Sequence, residues 1–302
     1  MLEVTDLKTH FLTPRGRVRA VDGISLTLTR GTTLGVVGES GSGKTIFARS
    51  IMNLLPKENV YRSGHVKFMG KDLISLGDKE MRRMCGSEIA MIFQDPMSSL
   101  NPVMTIGKQI TESLHLHLKM GRKHATASAI EMLRAVNIPE PARRFAEYPH
   151  QLSGGMRQRV MIALALACGP RLLFADEPTT ALDVTVQAEI LDLLQDNQAD
   201  RFMTMVLVTH DLGVVAGRAD EIAVMYAGRI VEQAPTGVLF SAMRHPYTEA
   251  LLRSIPRIED PGHTRLRVIV GRPPNLLNPP AGCSFSPRCP YAQDRCRIED
   301  PQ

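Results

Sequence analysis

The sequence predicts an α/β fold with a largely parallel sheet, and three observations predict it. Short apolar runs suited to buried strands alternate with helical stretches along most of the chain. A Gly-rich segment, Gly38 to Thr45, stands between one such run and a helix and so makes a strand–loop–helix unit. Between about Asp95 and Ala167 the strand pattern stops and a helical pattern replaces it, as expected for a helical subdomain inserted into an α/β core.

Taken in order, the first segment reads as β: Leu2 to Leu7, then Arg19 to Thr29 with alternating apolar residues, then the continuous run Thr33 to Val37. The spacing predicts a helix over Lys44 to Leu55. Further strand-type runs are His65 to Met69, Ile89 to Phe93, Leu172 to Ala175, Thr204 to Val208 and Ile222 to Tyr226. The helical insertion is broken at Pro102, Gly121, Pro139 and Pro149. From Pro256 onward the chain is rich in Pro, Gly and Arg with weak periodicity, which predicts a separate tail of loops and short strands. The predicted division is therefore a core in two parts, 1–94 and 168–255, a helical subdomain over 95–167, and an extension over 256–302. There is no internal repeat and no long low-complexity tract.

The chain has 302 residues, 43% hydrophobic and 22% charged, an ordinary soluble composition that allows a sizeable core. The net charge of +5 comes from 36 scattered Lys and Arg rather than basic runs, so a nucleic-acid surface is not expected. The longest apolar run, Val160 to Cys168, falls well short of the roughly 20 residues that cross a bilayer, and MLEVTDLKTH lacks a signal-peptide core. These features predict a cytoplasmic chain that meets a membrane only through a partner. Of the five cysteines, Cys85 and Cys168 stand alone and Cys283, Cys289 and Cys296 cluster near the end. A cytoplasmic setting argues against structural disulfides and for buried thiols or a metal site.

Gly38-Glu39-Ser40-Gly41-Ser42-Gly43-Lys44-Thr45 fits GxxxxGK[ST] in the strand-to-helix context that pattern requires. Its glycines let backbone N–H groups face phosphate oxygens at a helix N-terminus, Lys44 reaches the β and γ phosphates, and Thr45 ligates Mg²⁺. Leu172 to Glu177 is an apolar strand ending in two carboxylates. Asp176, at the strand end, is suited to hold Mg²⁺, and Glu177 to polarise an attacking water as general base. Leu152-Ser153-Gly154-Gly155-Met156-Arg157-Gln158 precedes a helical run in which Ser153 caps the helix and the glycines expose its N–H groups, a second anion-binding terminus.

With Ser153 to Met156 the chain resembles the ABC ATPases, whose signature motif completes the nucleotide site of the opposite protomer in a head-to-tail dimer. The other markers stand in order: Gln94 resembles the Q-loop glutamine that links Mg²⁺ and water to the helical subdomain, Ala181-Leu182-Asp183 the D-loop, and His210 the switch histidine that contacts the γ phosphate. The resemblance points to Phe11 as the residue that stacks on adenine. It spans roughly Leu2 to Arg297 and implies a P-loop ATPase core with an N-terminal antiparallel β subdomain, an inserted α-helical subdomain and a Pro/Cys-rich C-terminal extension.

Two segments resemble the dipeptide and oligopeptide importer branch, which includes nickel importers: Gln94 to Pro102 after the Q-loop, and His245-Pro246-Tyr247-Thr248-Glu249-Ala250-Leu251-Leu252, also readable as a capped amphipathic helix. Pro96 and Pro102 stiffen the first, where coupling to a transmembrane partner is expected. The tail Gly282 to Cys296 resembles the same branch, in which some members carry a [4Fe–4S] cluster. Three thiolates suit iron–sulfur or zinc chemistry, but a Cys₄ site needs a fourth ligand, so a cluster, zinc and plain reduced thiols all remain open. The resemblance implies an ATP- and Mg²⁺-dependent motor on the cytoplasmic face of the membrane. Its implied partners are a second ABC ATPase subunit, distinct or identical, two permease subunits and an extracytoplasmic peptide-binding protein. Dipeptides or oligopeptides are the expected cargo, with nickel or another solute as the alternative. A soluble ABC ATPase acting on nucleic acid or ribosomes is the rival reading; the absence of a second cassette or a coiled-coil insertion counts against it.

Overall fold

The computed structural model describes residues 1–179, 182–255 and 269–301. Ten strands run through the described residues: β1 (Leu2–Thr13), β2 (Gly16–Leu28), β3 (Thr33–Val37), β4 (Val60–Phe68), β5 (Lys71–Asp72), β6 (Ile89–Ile92), β7 (Leu172–Asp176), β8 (Thr204–Thr209), β9 (Glu221–Tyr226) and β10 (Arg229–Pro235). The chain divides into two compact units: Met1–Thr29, Thr33–Ser75 and Leu207–Gln302 form the first, Arg30–Thr32 and Leu76–Val206 the second. The division falls within β8.

The first unit opens on a long hairpin. β1 pairs antiparallel with β2 and with β4, and β4 with β5, giving a sheet in the order β2-β1-β4-β5. Alternating residues of these strands, among them Val4, Ile24, Leu26, Val66 and Phe68, are buried, the period of 2 that a half-covered sheet requires. The helix Lys44–Ile51 buries Phe47, Ala48 and Ile51, and Ser50 Oγ lies 2.8 Å from Thr9 Oγ1 of β1 in a buried hydrogen bond. The remaining strands of this unit run in the order β10-β9-β3-β8, β3 parallel to β9 and β10 antiparallel to β9. All five residues of β3 are buried, which is why it reads as a continuous apolar run.

The second unit has the strand order β8-β7-β6, with β6 parallel to β7 and Met91 opposite Phe174. Its longer helices are Ile106–Leu118, Arg122–Ala135, Gly154–Leu166 and Val184–Arg201. Ile106, Ile110 and Leu114 form the buried stripe of the first, and Ala125, Ala129 and Leu133 that of the second, both at the four-residue spacing of one helix face. Among the described residues no helix is long and apolar enough to cross a membrane.

The structure corrects several sequence expectations. The hairpin is longer than predicted, reaching Thr13 and resuming at Gly16, because its tip pairs through the backbone while its side chains are exposed. The first helix ends at Ile51 rather than Leu55, since the chain turns out of helical geometry and Asn53 takes φ 55°. The described tail residues, 269–301, hold turns and a single-turn helix at Asp294–Arg297 but no strand. Its prolines, which lack an N–H, cannot donate to a ladder.

Phe174 is fully buried at the centre of β7. Phe174→Ala should lower stability by about 3–5 kcal/mol, read as a lower midpoint in equilibrium denaturant unfolding; an unchanged midpoint would show that β7 is not the core strand described.

Candidate functional site

In the first unit, the segment between β3 and the helix Lys44–Ile51 is a loop that only glycine can form at two places. Gly38 has φ 155° and Gly43 φ 104°; a Cβ on Gly38 would lie 2.2 Å from the Met225 carbonyl oxygen, and one on Gly43 2.2 Å from that of Ala20. Gly43 is also the N-cap of the helix, so the first turn begins at the loop with its backbone N–H groups and the positive end of the helix dipole on that side. Ser42 N–H donates to Glu39 O at 3.1 Å and Gly228 N–H to Ser42 O at 2.9 Å, which fixes the loop's curvature. Lys44 Nζ folds across the loop and donates to the carbonyls of Gly38 at 2.7 Å and Glu39 at 3.0 Å. Ser42 Oγ is buried without a hydrogen-bond partner. A buried orphan hydroxyl, a buried ammonium and the N-terminus of a helix make a donor set that fits a chain of phosphates.

Glu39 is tied from the far end of the chain. Its N–H donates to Tyr247 Oη at 2.9 Å, and its carboxylate accepts both guanidinium nitrogens of Arg288, at 2.6 and 2.9 Å. Phe11 is half-buried on β1, opposite Val18 of β2 and Val60 of β4. His210 is exposed one residue past β8; Asp211 beside it caps the helix Leu212–Ala216 by accepting from Gly213 N–H at 2.7 Å, which fixes the backbone that presents the histidine.

In the second unit β7 ends at Asp176, which is fully buried. Glu177 follows with φ 46°, a left-handed conformation that is uncommon for a residue with a side chain and typical of constrained sites. Gln94, two residues beyond β6, donates from Nε2 to Glu177 Oε2 at 3.0 Å. The parallel pairing of β6 and β7 sets their C-terminal ends side by side, and this hydrogen bond joins the two ends. The buried Gln158 amide donates to the Pro178 carbonyl, which links the helix Gly154–Leu166 to the turn after Glu177.

Ser153 N-caps that helix, its Oγ accepting from Met156 N–H at 3.3 Å, and leaves Gly154 exposed and Gly155 half-buried at the terminus. Asp183 caps the helix Val184–Arg201 by accepting from Val186 N–H at 3.0 Å. The two caps are neighbours, since a Cβ on Gly155 would stand 3.3 Å from Val186 Cγ1. Ala181 lies outside the described residues. In the segment after Gln94, Asp95 caps the short helix Pro96–Ser99, and the Gln109 amide donates to the carbonyls of Asn101 and Met104, each at 3.0 Å. The loop is therefore held by side-chain hydrogen bonds as well as by Pro96 and Pro102.

Among the described residues the C-terminal cysteines are not gathered into a metal centre. Cys283 N–H donates to Cys296 O at 2.9 Å, so their backbones meet. Yet among the described residues no group of three or more His, Cys, Asp or Glu is placed to hold a metal ion. Burial pushes the Cys283 thiol up, favouring the protonated form. Burial likewise pushes Cys85 up to about 11.

Residues 21–180 match the family described as ABC transporter, and residues 231–296 the one described as the C-terminal region of oligopeptide/dipeptide transporters. The oligopeptide transport ATP-binding protein OppD of Bacillus subtilis (strain 168) is 52% identical over 97% of this chain and 82% of its own length. The dipeptide transport ATP-binding protein DppD of Escherichia coli (strain K12) is 49% identical over 100% of this chain and 92% of its own. Among solved structures, a dimeric bacterial ABC transporter cassette superposes with a TM-score of 0.71 at 27% identity, covering 78% of this chain and 99% of that one.

Gly43→Ala must displace either the Ala20 carbonyl or the loop itself. Titration of the folded variant with a fluorescent nucleoside triphosphate should show affinity reduced by about 100-fold or more. Wild-type affinity would mean that the loop is not the phosphate cradle.

Proposed function

The chain belongs to the ABC transporter family and carries the C-terminal region of its oligopeptide and dipeptide transporters, and from that premise we propose that it is the ATP-hydrolysing subunit of a peptide importer. The observation that carries the hydrolytic part is the hydrogen bond from Gln94 to Glu177 at 3.0 Å, on a backbone that Glu177 holds at φ 46°. A carboxylate aimed by an amide donor at the end of a buried strand is suited to orient and deprotonate a water molecule. The peptide part is supported by likeness along the whole chain to OppD and DppD, named as oligopeptide and dipeptide transport ATP-binding proteins.

In this reading the backbone N–H groups from Gly38 to Thr45, with Ser42 Oγ, bind the phosphates, and Lys44 exchanges the Gly38 and Glu39 carbonyls for phosphate oxygens. Thr45, Gln94 and Asp176 hold Mg²⁺, which neutralises charge on the phosphates when bound. Glu177 takes the proton of the attacking water, Gln94 aligns it, and His210 senses the γ phosphate. Phe11 stacks on the adenine ring. Ser153, Gly154, Gly155 and Met156 serve the ATP of a second ABC ATPase subunit, and Asp183 lies at that dimer contact. Closure of the dimer drives two permease subunits, with the segment Asp95 to Pro102 transmitting the motion. The subunit is peripheral, held on the cytoplasmic face by the permeases, and an extracytoplasmic binding protein delivers the peptide.

Glu177→Gln tests the assignment of the base. The variant should bind MgATP with an affinity within about threefold of wild type, lose about 100-fold or more in kcat, and accumulate as an ATP-bound dimer in size-exclusion chromatography. Hydrolysis within a few-fold of wild type would remove Glu177 from that role.

A further inference from the structure

Glu39 is an anomaly in a loop that binds polyanions. A carboxylate beside the phosphate cradle repels the ligand the loop is shaped for, unless its charge is neutralised. The neutralising group comes from the C-terminal extension. Arg288 forms a bidentate pair with Glu39, and its remaining donors are also used: Nε to Val270 O at 3.1 Å, Nη2 to Ile269 O at 3.2 Å, and Nη1 to Tyr226 Oη at 3.3 Å. The Arg288 side chain is only 4% exposed. Its guanidinium carbon lies 5.8 Å from the Tyr226 ring centre and 5.9 Å from that of Phe285. Tyr226, Tyr247 and Phe285 form a closed cluster with ring centres 4.5 to 5.3 Å apart. The cluster aims Tyr247 Oη at the Glu39 N–H.

Glu39 is thus held at both its N–H and its carboxylate. Its carbonyl is the one that accepts from Lys44 Nζ and Ser42 N–H, so its position sets both. The same extension also reaches the hairpin that carries Phe11. Leu276 O accepts from Arg19 N–H at 3.1 Å, and Leu277 packs against Gly16 at the hairpin tip.

We propose that Arg288 and Tyr247 are positioning residues for nucleotide binding: they clamp Glu39, mask its charge and hold the phosphate loop in its accepting shape, so that the C-terminal extension, through Arg288, and the helix Pro246–Arg253, through Tyr247, together brace the ATP site. The proposal rests on the reading of this loop as an ATP site. The ordering of donors is consistent with it, since the Glu39 hydrogen bonds hold Arg288 well above the usual guanidinium range. A guanidinium fork is needed for this pairing; a lysine ammonium supplies the charge but not two parallel hydrogen bonds.

The test is equilibrium binding of MgATP to the full chain, measured by isothermal titration calorimetry and paired with steady-state hydrolysis, on variants whose circular dichroism matches wild type. Arg288→Ala is expected to weaken MgATP binding about tenfold or more, equivalent to about 1.4 kcal/mol, and to raise KM while kcat stays within about threefold. Glu39→Gln added to Arg288→Ala should recover most of the lost affinity, because the unmasked charge is removed. Arg288→Lys should fall between wild type and Arg288→Ala. Tyr247→Phe keeps the aromatic cluster, serves if Arg288→Ala does not fold, and should raise the dissociation constant several-fold.

Wild-type affinity in both Arg288→Lys and Tyr247→Phe would overturn the proposal, as would an Arg288→Ala defect that Glu39→Gln does not relieve. Failure of the wild-type chain itself to bind MgATP would instead overturn the ATP-site reading.

Discussion

The close approach of backbone to backbone at Gly38 and Gly43 is the constraint on which the nucleotide loop depends. Each glycine sits against a carbonyl oxygen from elsewhere in the first unit, Met225 at the end of β9 and Ala20 in β2. The shape of the loop is thus bounded by the backbone of those two strands. Its geometry is therefore a product of tertiary packing, although its glycines are readable in the sequence. Once formed, it fixes the helix Lys44–Ile51 by its N-terminus, and the buried Thr9–Ser50 hydrogen bond returns that helix to β1. Hairpin, loop and helix are in this way mutually dependent, and the donors proposed to bind phosphate are held by all three.

The C-terminal extension solves a different problem. It is rich in proline and can add little to a sheet, so a few strong local contacts anchor it instead of a large core. Phe285 is buried in the aromatic cluster, Arg288 is saturated by Glu39 and backbone carbonyls, and Arg229 pairs with both Asp22 and Asp300. Asp22 in turn accepts from His10 of β1 at 2.9 Å. Of these anchors, Arg288 reaches the loop directly, Phe285 packs on Tyr226 and Tyr247, and Asp300 reaches β10 through Arg229, which pairs in turn with Asp22 of the hairpin. An extension attached only for stability would have no need to place its most buried charge on a residue of the phosphate loop.

Much of the fold was legible because its central strands are buried on both faces. β3, β7 and β9 stand in the sequence as unbroken apolar runs, and the Gly-rich loop and Ser153 cap carry signatures that follow from backbone chemistry. β10 was not foreseen, since its residues Arg229 to Pro235 are half-buried or exposed and carry no clean alternation. The hairpin tip was missed for the same reason. Of the site residues, those in local patterns could be named in advance, and the structure adds the Gln94–Glu177 hydrogen bond across 83 residues of chain. Tyr247 and Arg288 could be noticed as parts of subfamily segments but not assigned to Glu39, from which they lie 208 and 249 residues away in sequence. No periodicity or spacing rule reaches that far.

Uptake of labelled di- and oligopeptides by proteoliposomes containing this subunit, its permeases and its ATPase partner, with binding protein and ATP supplied, is the most direct test of the peptide-import motor. ATP-dependent accumulation of peptide inside the vesicles is the expected result. Sustained ATP hydrolysis by the same assembled complex with no peptide entering at any length tested would contradict it.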